Sequence, residues 1–227
     1  MKGGKDILET RCIKTRNGWF LNNCYFVRNT ENNHAILIDP SWEEDKFIKI
    51  CEEYQCIVDG IFLTHFHFDH TNLAKTLSEQ YDCLVFLSDV EAALGDFDID
   101  NLFPFTAPNI ITTKVAPVQC HRTPGHSINS ITYQIEDMLF CGDTLFNEGC
   151  GFPDQSEYID DLYESIQFLK ENISLDTRLY PGHSYGTNVG LSMKEVFKTN
   201  IYLYFDNRAD FSEYLKRNIK KGNSKFT

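Results

Sequence analysis

The 227-residue sequence predicts an α/β protein: a mixed-sheet sandwich with helices outside, formed by residues 1–227 as one domain. Three observations carry this reading. Short apolar runs with strand character alternate with segments of helical periodicity. Hydrophobic residues make up 42% of the chain, enough for a sizeable core, and neither a low-complexity tract nor an internal repeat interrupts them. Ser-x-x-Glu pairs also recur at the starts of helical segments, as in a capping box.

Taken in order, residues 10–15, 19–28 and 34–39 read as strands, rich in aromatic and β-branched residues and broken at Asn-Gly and Asn-Asn. Ser41-x-x-Glu44 opens a helix to about residue 54, with Phe47, Ile50, Cys51 and Tyr54 on one face. Strand 60–64 follows, then a short helix carrying Leu73, Ala74 and Leu77. A buried strand from Cys83 to Leu87 leads into Ser88-x-x-Glu91 and another helix. Segments 117–122, 129–135 and 138–142 are strands, the last two joined by a tight turn at Glu136-Asp137. Residues 157–170 place Ile159, Leu162, Tyr163, Ile166 and Leu169 at helical spacing. Strand 177–180 and a helix opened by Ser192-x-x-Glu195 precede a basic, helical extension over about 201–227. Its Arg208, Lys216, Arg217, Lys220, Lys221 and Lys225 read as a solvated helix and frayed tail.

The chemistry concentrates in Thr64-His65-Phe66-His67-Phe68-Asp69-His70, directly after the apolar Ile61-Phe62-Leu63. Three of the chain's seven histidines fall there. Neutral imidazole is a common metal ligand, and ionised Asp adds a hard oxygen donor. His65 and His67, two apart on an extended segment, point to the same side. Further donors follow other strands: His126 in Thr123-Pro124-Gly125-His126-Ser127, Asp143 in Phe140-Cys141-Gly142-Asp143, and His183 in Tyr180-Pro181-Gly182-His183. A rigid strand that delivers its donor to the loop at its end suits a preorganised metal site. With a full donor set elsewhere, Cys141 and Cys150 read as core packing, and Ser127 and Ser184 as turn residues rather than nucleophiles.

These motifs, in this order, resemble the metallo-β-lactamase superfamily over roughly residues 10–200. Asp39 in Ile36-Leu37-Ile38-Asp39-Pro40 fits its early aspartate motif, and Asn22-Asn23-Cys24-Tyr25 its usual second strand. Gly142-Asp143-Thr144-Leu145-Phe146 with Gly149-Cys150-Gly151 most resembles the glyoxalase II-like branch. The resemblance implies the four-layered αβ/βα sandwich, with metals at one edge between the sheets. It also implies two zinc ions: His65, His67 and His126 on one, Asp69, His70 and His183 on the second, and Asp143 bridging. Asp69 and Asp143 are then the catalytic carboxylates, Asp69 orienting a shared hydroxide that attacks an acyl carbon. The donors suit zinc, although ligand chemistry alone leaves iron and manganese open.

The same resemblance points to thioester substrates. In glyoxalase II a basic residue follows Gly-Cys-Gly and holds glutathione, whereas here that position is Phe152, and only about forty residues follow His183 where that branch has a helical substrate domain. Tyr185 matches a substrate-contacting tyrosine of glyoxalase II. Phe152, Glu148-Gly149-Cys150-Gly151 and the Asn200-Ile201-Tyr202 ending look like the zinc hydrolases of bacterial trans-acyltransferase polyketide biosynthesis, which act on acyl carrier proteins. Substrate contacts are therefore assigned to Tyr185 and Phe152, and an acyl carrier protein is the expected partner. The alternatives are glyoxalase II itself (hydroxyacylglutathione hydrolase), a mononuclear-iron sulfur dioxygenase, and a non-catalytic binding module on the same fold. The dioxygenases usually carry Arg at the Phe152 position, and a binding module is expected to have lost ligands.

Composition narrows the partners. A formal charge of -12 disfavours nucleic acid, which calls for a basic face. Met1 to Arg11 is polar where an apolar signal core would sit, and no long apolar run follows, so a cytoplasmic protein without a membrane span is expected. The eight scattered cysteines then read as reduced, mostly buried thiols.

Overall fold

Successive residues of the central strands face two different cores, which fixes the architecture. The computed structural model describes residues 7–95 and 97–220. Strands β1 (Leu8–Asn17), β2 (Phe20–Asn29), β3 (His34–Ile38), β4 (Ile57–Phe62), β5 (Leu84–Ser88) and β6 (Leu102–Phe105) form one sheet in sequential order. Strands β7 (Asn109–Thr112), β8 (Pro117–Arg122), β9 (Ile131–Ile135), β10 (Met138–Gly142), β11 (Arg178–Pro181) and β12 (Leu191–Ser192) form the other, again as sequence neighbours. The first sheet is antiparallel from β1 to β3 and parallel from β3 to β6. In the second, only β10 and β11 run parallel.

Tyr25 and Val27 of β2, Ile36 and Ile38 of β3, and Met138 and Phe140 of β10 meet in a core between the sheets. Their neighbours point the other way. Cys24, Phe26, Ala35 and Leu37 pack in a second core with Phe47 and Cys51 of α1 (Glu44–Tyr54) and Ala74 and Leu77 of α3 (Ala74–Tyr81). Leu139 and Cys141 join a third with Leu162, Ile166 and Leu169 of α5 (Ile159–Asn172), Met193 and Val196 of α6 (Met193–Thr199), and Phe211 and Leu215 of α7 (Arg208–Lys220). Strands buried on both faces explain their near-continuous apolar runs. The layers are helices, sheet, sheet, helices, as the sequence predicts. The described residues also form two short α-helices, α2 (Phe68–Thr71) and α4 (Asp89–Leu94), and 3-10 turns at Ser156–Tyr158 and Ile201–Tyr204.

Several details depart from expectation. Ser41 does not cap α1. The chain turns through left-handed Trp42, whose N–H is taken by Asn72 Oδ1 at 2.8 Å, and the helix starts at Glu44 behind an uncapped Glu43. Ser41 is buried instead, its hydroxyl 3.3 Å from both Thr15 Oγ1 and Cys24 Sγ. Ser88 does cap α4, accepting from Glu91 N, but the Glu91 side chain does not return to complete the box. Strands β6 and β7 escaped the sequence reading, and each is the edge of its sheet. Helix α7 is not merely solvated, because Phe211 and Leu215 are fully buried. Arg208 already pairs with Glu164 and Arg217 with Glu213, while Lys221 and Lys225 lie outside the described residues. Among the described residues no helix is long and apolar enough to cross a membrane.

Candidate metal centre

All seven predicted donors converge at one end of the sheets. His65 and His67 lie in the loop after β4, and α2 carries Asp69 and His70. His126 lies in the loop between β8 and β9, Asp143 directly follows β10, and His183 follows β11. His65 Nε2 and His126 Nε2 stand 2.9 and 3.0 Å from His67 Nδ1. Asp69 Oδ2 is 3.5 Å from both His70 Nε2 and His183 Nε2. Between the two trios lies Asp143, with Oδ1 3.5 Å from His70 Nε2 and Oδ2 3.7 Å from His126 Nε2 and 3.2 Å from His183 Nε2. Three donor groups could each hold a cation: His65, His67 and His126; His65, His70 and Asp143; and Asp69, His70 and His183.

The ring nitrogens that face away from this cluster are occupied. His126 Nδ1 donates to the Phe152 carbonyl at 2.7 Å, and His183 Nδ1 to the Leu21 carbonyl at 2.7 Å. His70 Nδ1 lies 3.0 Å from Asp39 Oδ2, and His67 Nε2 3.0 Å from Asp154 Oδ2. His65 Nδ1 meets Thr64 Oγ1 at 3.0 Å, and that hydroxyl donates to Asp39 Oδ2 at 2.6 Å. Donation outward leaves each inward nitrogen with its lone pair free, the tautomer a metal ligand needs. Asn22 Nδ2 fixes the half-buried Asp69 by donating to both its Oδ2 and its carbonyl, each at 3.0 Å.

Two buried atoms show that the donor set fits a cation. His70 Nε2 and Asp143 Oδ1 are inaccessible to water and lack a hydrogen-bond partner, an arrangement that is costly unless something else satisfies them. Gly182 permits this crowding. A Cβ there would collide with Asp143 Oδ1 and come within 2.7 Å of His70 Cε1.

The electrostatics divide the imidazoles. Burial, reinforced by the neighbouring rings, pushes His65 well below the usual histidine range, and burial also lowers His126. Burial opposes the charged form of His70 too, but Asp143 and Asp69 outweigh it and raise the ring to about 9. The Asp143 carboxylate likewise overcomes burial at His183 and raises it well above its ordinary value. Despite burial, Asp69 is held below the ordinary carboxylate range by His70 and His183, and Asp143 well below it by the same two rings. The two carboxylates thus make this side of the cluster favour positive charge, which a bound cation would also supply.

The remaining predicted residues have defined places. Tyr185 lies beside the cluster, 40% exposed, its ring 6.5 Å from that of His183. Phe152 contributes its carbonyl to His126, and its half-buried side chain packs on the core beneath α5. Cys141 and Cys150 are buried outside every donor group, and burial raises both thiols. Ser127 Oγ donates to Glu91 at 2.6 Å rather than to a histidine. Sequence reasoning missed Asp154 and Asn22 as supports, and also an aromatic rim. In that rim Phe20 and Trp42 lie 5.8 Å apart, and Trp42 and Phe68 5.7 Å. Phe68 is 70% exposed, and Trp19 on the adjacent hairpin is 95% exposed. A cavity of about 670 Å³ lies at the other end of β10 and β11, lined by residues including Arg28 and Arg178, which pair with Glu9 and Asp137.

The chain matches the metallo-beta-lactamase superfamily over residues 17–183. It belongs to that superfamily. Among relatives in the superfamily, it is 34% identical over 211 residues to the probable polyketide biosynthesis zinc-dependent hydrolase PksB of Bacillus subtilis (strain 168), covering 92% of this chain and 94% of that protein. It is 28% identical over 169 residues to the hydroxyacylglutathione hydrolase of Psychromonas ingrahamii, covering 74% of this chain but only 63% of that longer protein. The crystal structure of a metallo-beta-lactamase from Staphylococcus aureus superposes with a TM-score of 0.81 at 19% identity, covering 92% of this chain and 67% of that one. That likeness is one of fold.

Proposed function

We propose that the chain is a zinc-dependent hydrolase of acyl thioesters, with a carrier protein favoured over glutathione as the thiol. The observation that carries this reading is the paired donor cluster, with Asp143 between two trios and, at its centre, His70 Nε2 and Asp143 Oδ1, which lack hydrogen-bond partners. His65, His67 and His126 would hold one ion, Asp69, His70 and His183 the other, and Asp143 would bridge. Bound zinc supplies water ionised near neutral pH and a Lewis acid for the acyl oxygen. The chain's own residues do the positioning. Asn22 holds the Asp69 carboxylate toward the centre, where it can orient the attacking water, and the carbonyls of Phe152 and Leu21 hold two rings in place.

The zinc-dependent hydrolase name of the Bacillus relative, at near-complete coverage of both chains, supports hydrolysis. Carrier preference rests on Phe152, which stands where glyoxalase II places a cation for glutathione, and on the apolar rim of Phe20, Trp42 and Phe68, suited to an acyl chain or pantetheine arm. The likeness to a hydroxyacylglutathione hydrolase favours the second reading, glutathione thioesters. Incubation of zinc-loaded protein with matched acyl thioesters of glutathione, coenzyme A and a carrier protein separates them. Fastest release from the carrier is expected, and a strong glutathione preference would instead support the second reading. His126→Ala and Asp143→Ala should each abolish turnover with the circular dichroism unchanged. Activity surviving both would place the chemistry elsewhere.

A further inference from the structure

Outside the donor set, one buried carboxylate joins the two loops that supply the three-histidine group. Glu91 on α4 is fully buried. Its Oε1 accepts from Ser127 Oγ at 2.6 Å and from Asn129 N at 2.7 Å, and its Oε2 accepts from Phe66 N at 3.1 Å. Phe66 lies between His65 and His67, and Ser127 directly follows His126. One side chain therefore grips the backbone between two of the ligands and the turn that carries the third.

Helix capping does not account for this residue. In a completed box the Glu side chain returns to the N-cap backbone, as Glu195 does at Ser192. Here Ser88 caps the helix alone, and the Glu91 carboxylate turns to the ligand loops. Simple packing does not account for it either, since an apolar side chain would avoid the penalty of burying an acid. All three partners are donors, which matches an ionised, acceptor-only carboxylate. Ser88 Oγ adds a second tie to the same turn, donating to the Asn129 carbonyl at 3.2 Å.

We propose that Glu91 is a positioning residue of the His65, His67 and His126 group, tuning its zinc affinity separately from that of the Asp69, His70 and His183 group. The second group is steadied by Asn22, the Leu21 carbonyl and Asp39, the last of which also reaches His65 through the Thr64 hydroxyl. The proposal rests on the zinc reading above.

The test titrates metal-free wild type, Glu91→Gln and Ser127→Ala with zinc against a chromophoric chelator, with circular dichroism as the control for folding. Gln keeps the volume but must turn its NH2 toward either the Phe66 N–H or the Ser127 and Asn129 donors. Wild type should take up two zinc equivalents. Glu91→Gln should keep one of them unchanged and hold the other about 10- to 100-fold more weakly. Ser127→Ala should weaken the same equivalent by less. Equal weakening of both equivalents, or none in a folded variant, overturns the proposal. If Glu91→Gln does not fold, Ser127→Ala decides by the same criterion. A wild type that takes up no zinc overturns the zinc reading and this proposal with it, and that result comes before any variant is compared.

Discussion

A histidine ring can present a lone pair to a cation only if its proton sits on the other nitrogen, so the outward partner of each ring governs the centre. Asp39 illustrates how much one such partner carries. Its two oxygens accept from Thr64 N at 2.7 Å, Thr64 Oγ1 at 2.6 Å and His70 Nδ1 at 3.0 Å, so it orients His70 directly and His65 through a hydroxyl. Asp39→Asn replaces one of those acceptors with a donor. It should lower zinc affinity about 10- to 100-fold while the fold persists, as read by chelator competition. Unchanged affinity would show that His70 is oriented by something else. The donors themselves were legible in the sequence because metal chemistry demands particular residue types at strand ends. Their supports were not. Asn22, Glu91 and Asp154 are ordinary polar residues whose partners lie 47, 36 and 87 positions away, and only the tertiary fold brings each pair together.

At the scale of the element, the three Ser-x-x-Glu signals met three different fates. Ser192 and Glu195 form the full reciprocal box at the start of α6. Ser192→Ala should therefore cost about 1 kcal/mol, a fall of about 2–4 °C in melting temperature for a chain of this size. A thermal melt indistinguishable from wild type would refute the cap. Ser88 caps without reciprocity because its glutamate serves the ligand loops. Ser41 caps nothing, since left-handed Trp42 intervenes before α1. Local pattern marked all three alike, and long-range hydrogen bonds separated them. Strands β6 and β7 were illegible for a related reason. They are four residues each, β6 contains Pro104, and both lie at sheet edges, where neither face has to be uniformly apolar. Strands such as β3 and β10, buried on both faces, left the strongest signal.

For the whole molecule, the centre joins two sheets that already hold each other. The β4–α2 segment attached to the first sheet supplies His65, His67, Asp69 and His70, and the second sheet supplies His126, Asp143 and His183. Direct ties also cross between the halves: Asn23 N to the Gly182 carbonyl at 2.7 Å, Ile131 N to the Thr64 carbonyl at 2.8 Å, and Tyr133 Oη to the Leu63 carbonyl at 2.7 Å. Behind them lies the apolar core shared by both sheets. Metal removal should therefore leave the architecture standing and lower its stability. Zinc present at a thousand times its dissociation constant stabilises the folded state by about 4 kcal/mol per site, on the order of 10 °C for a chain of this length. Calorimetry of zinc-loaded and chelated protein should show a fall of that order for each site emptied, with the far-ultraviolet circular dichroism retained at room temperature. An unchanged melting temperature would mean that the cluster holds no metal in the loaded protein. Loss of the circular dichroism on chelation would mean that the ions, rather than the core between the sheets, keep the two halves together.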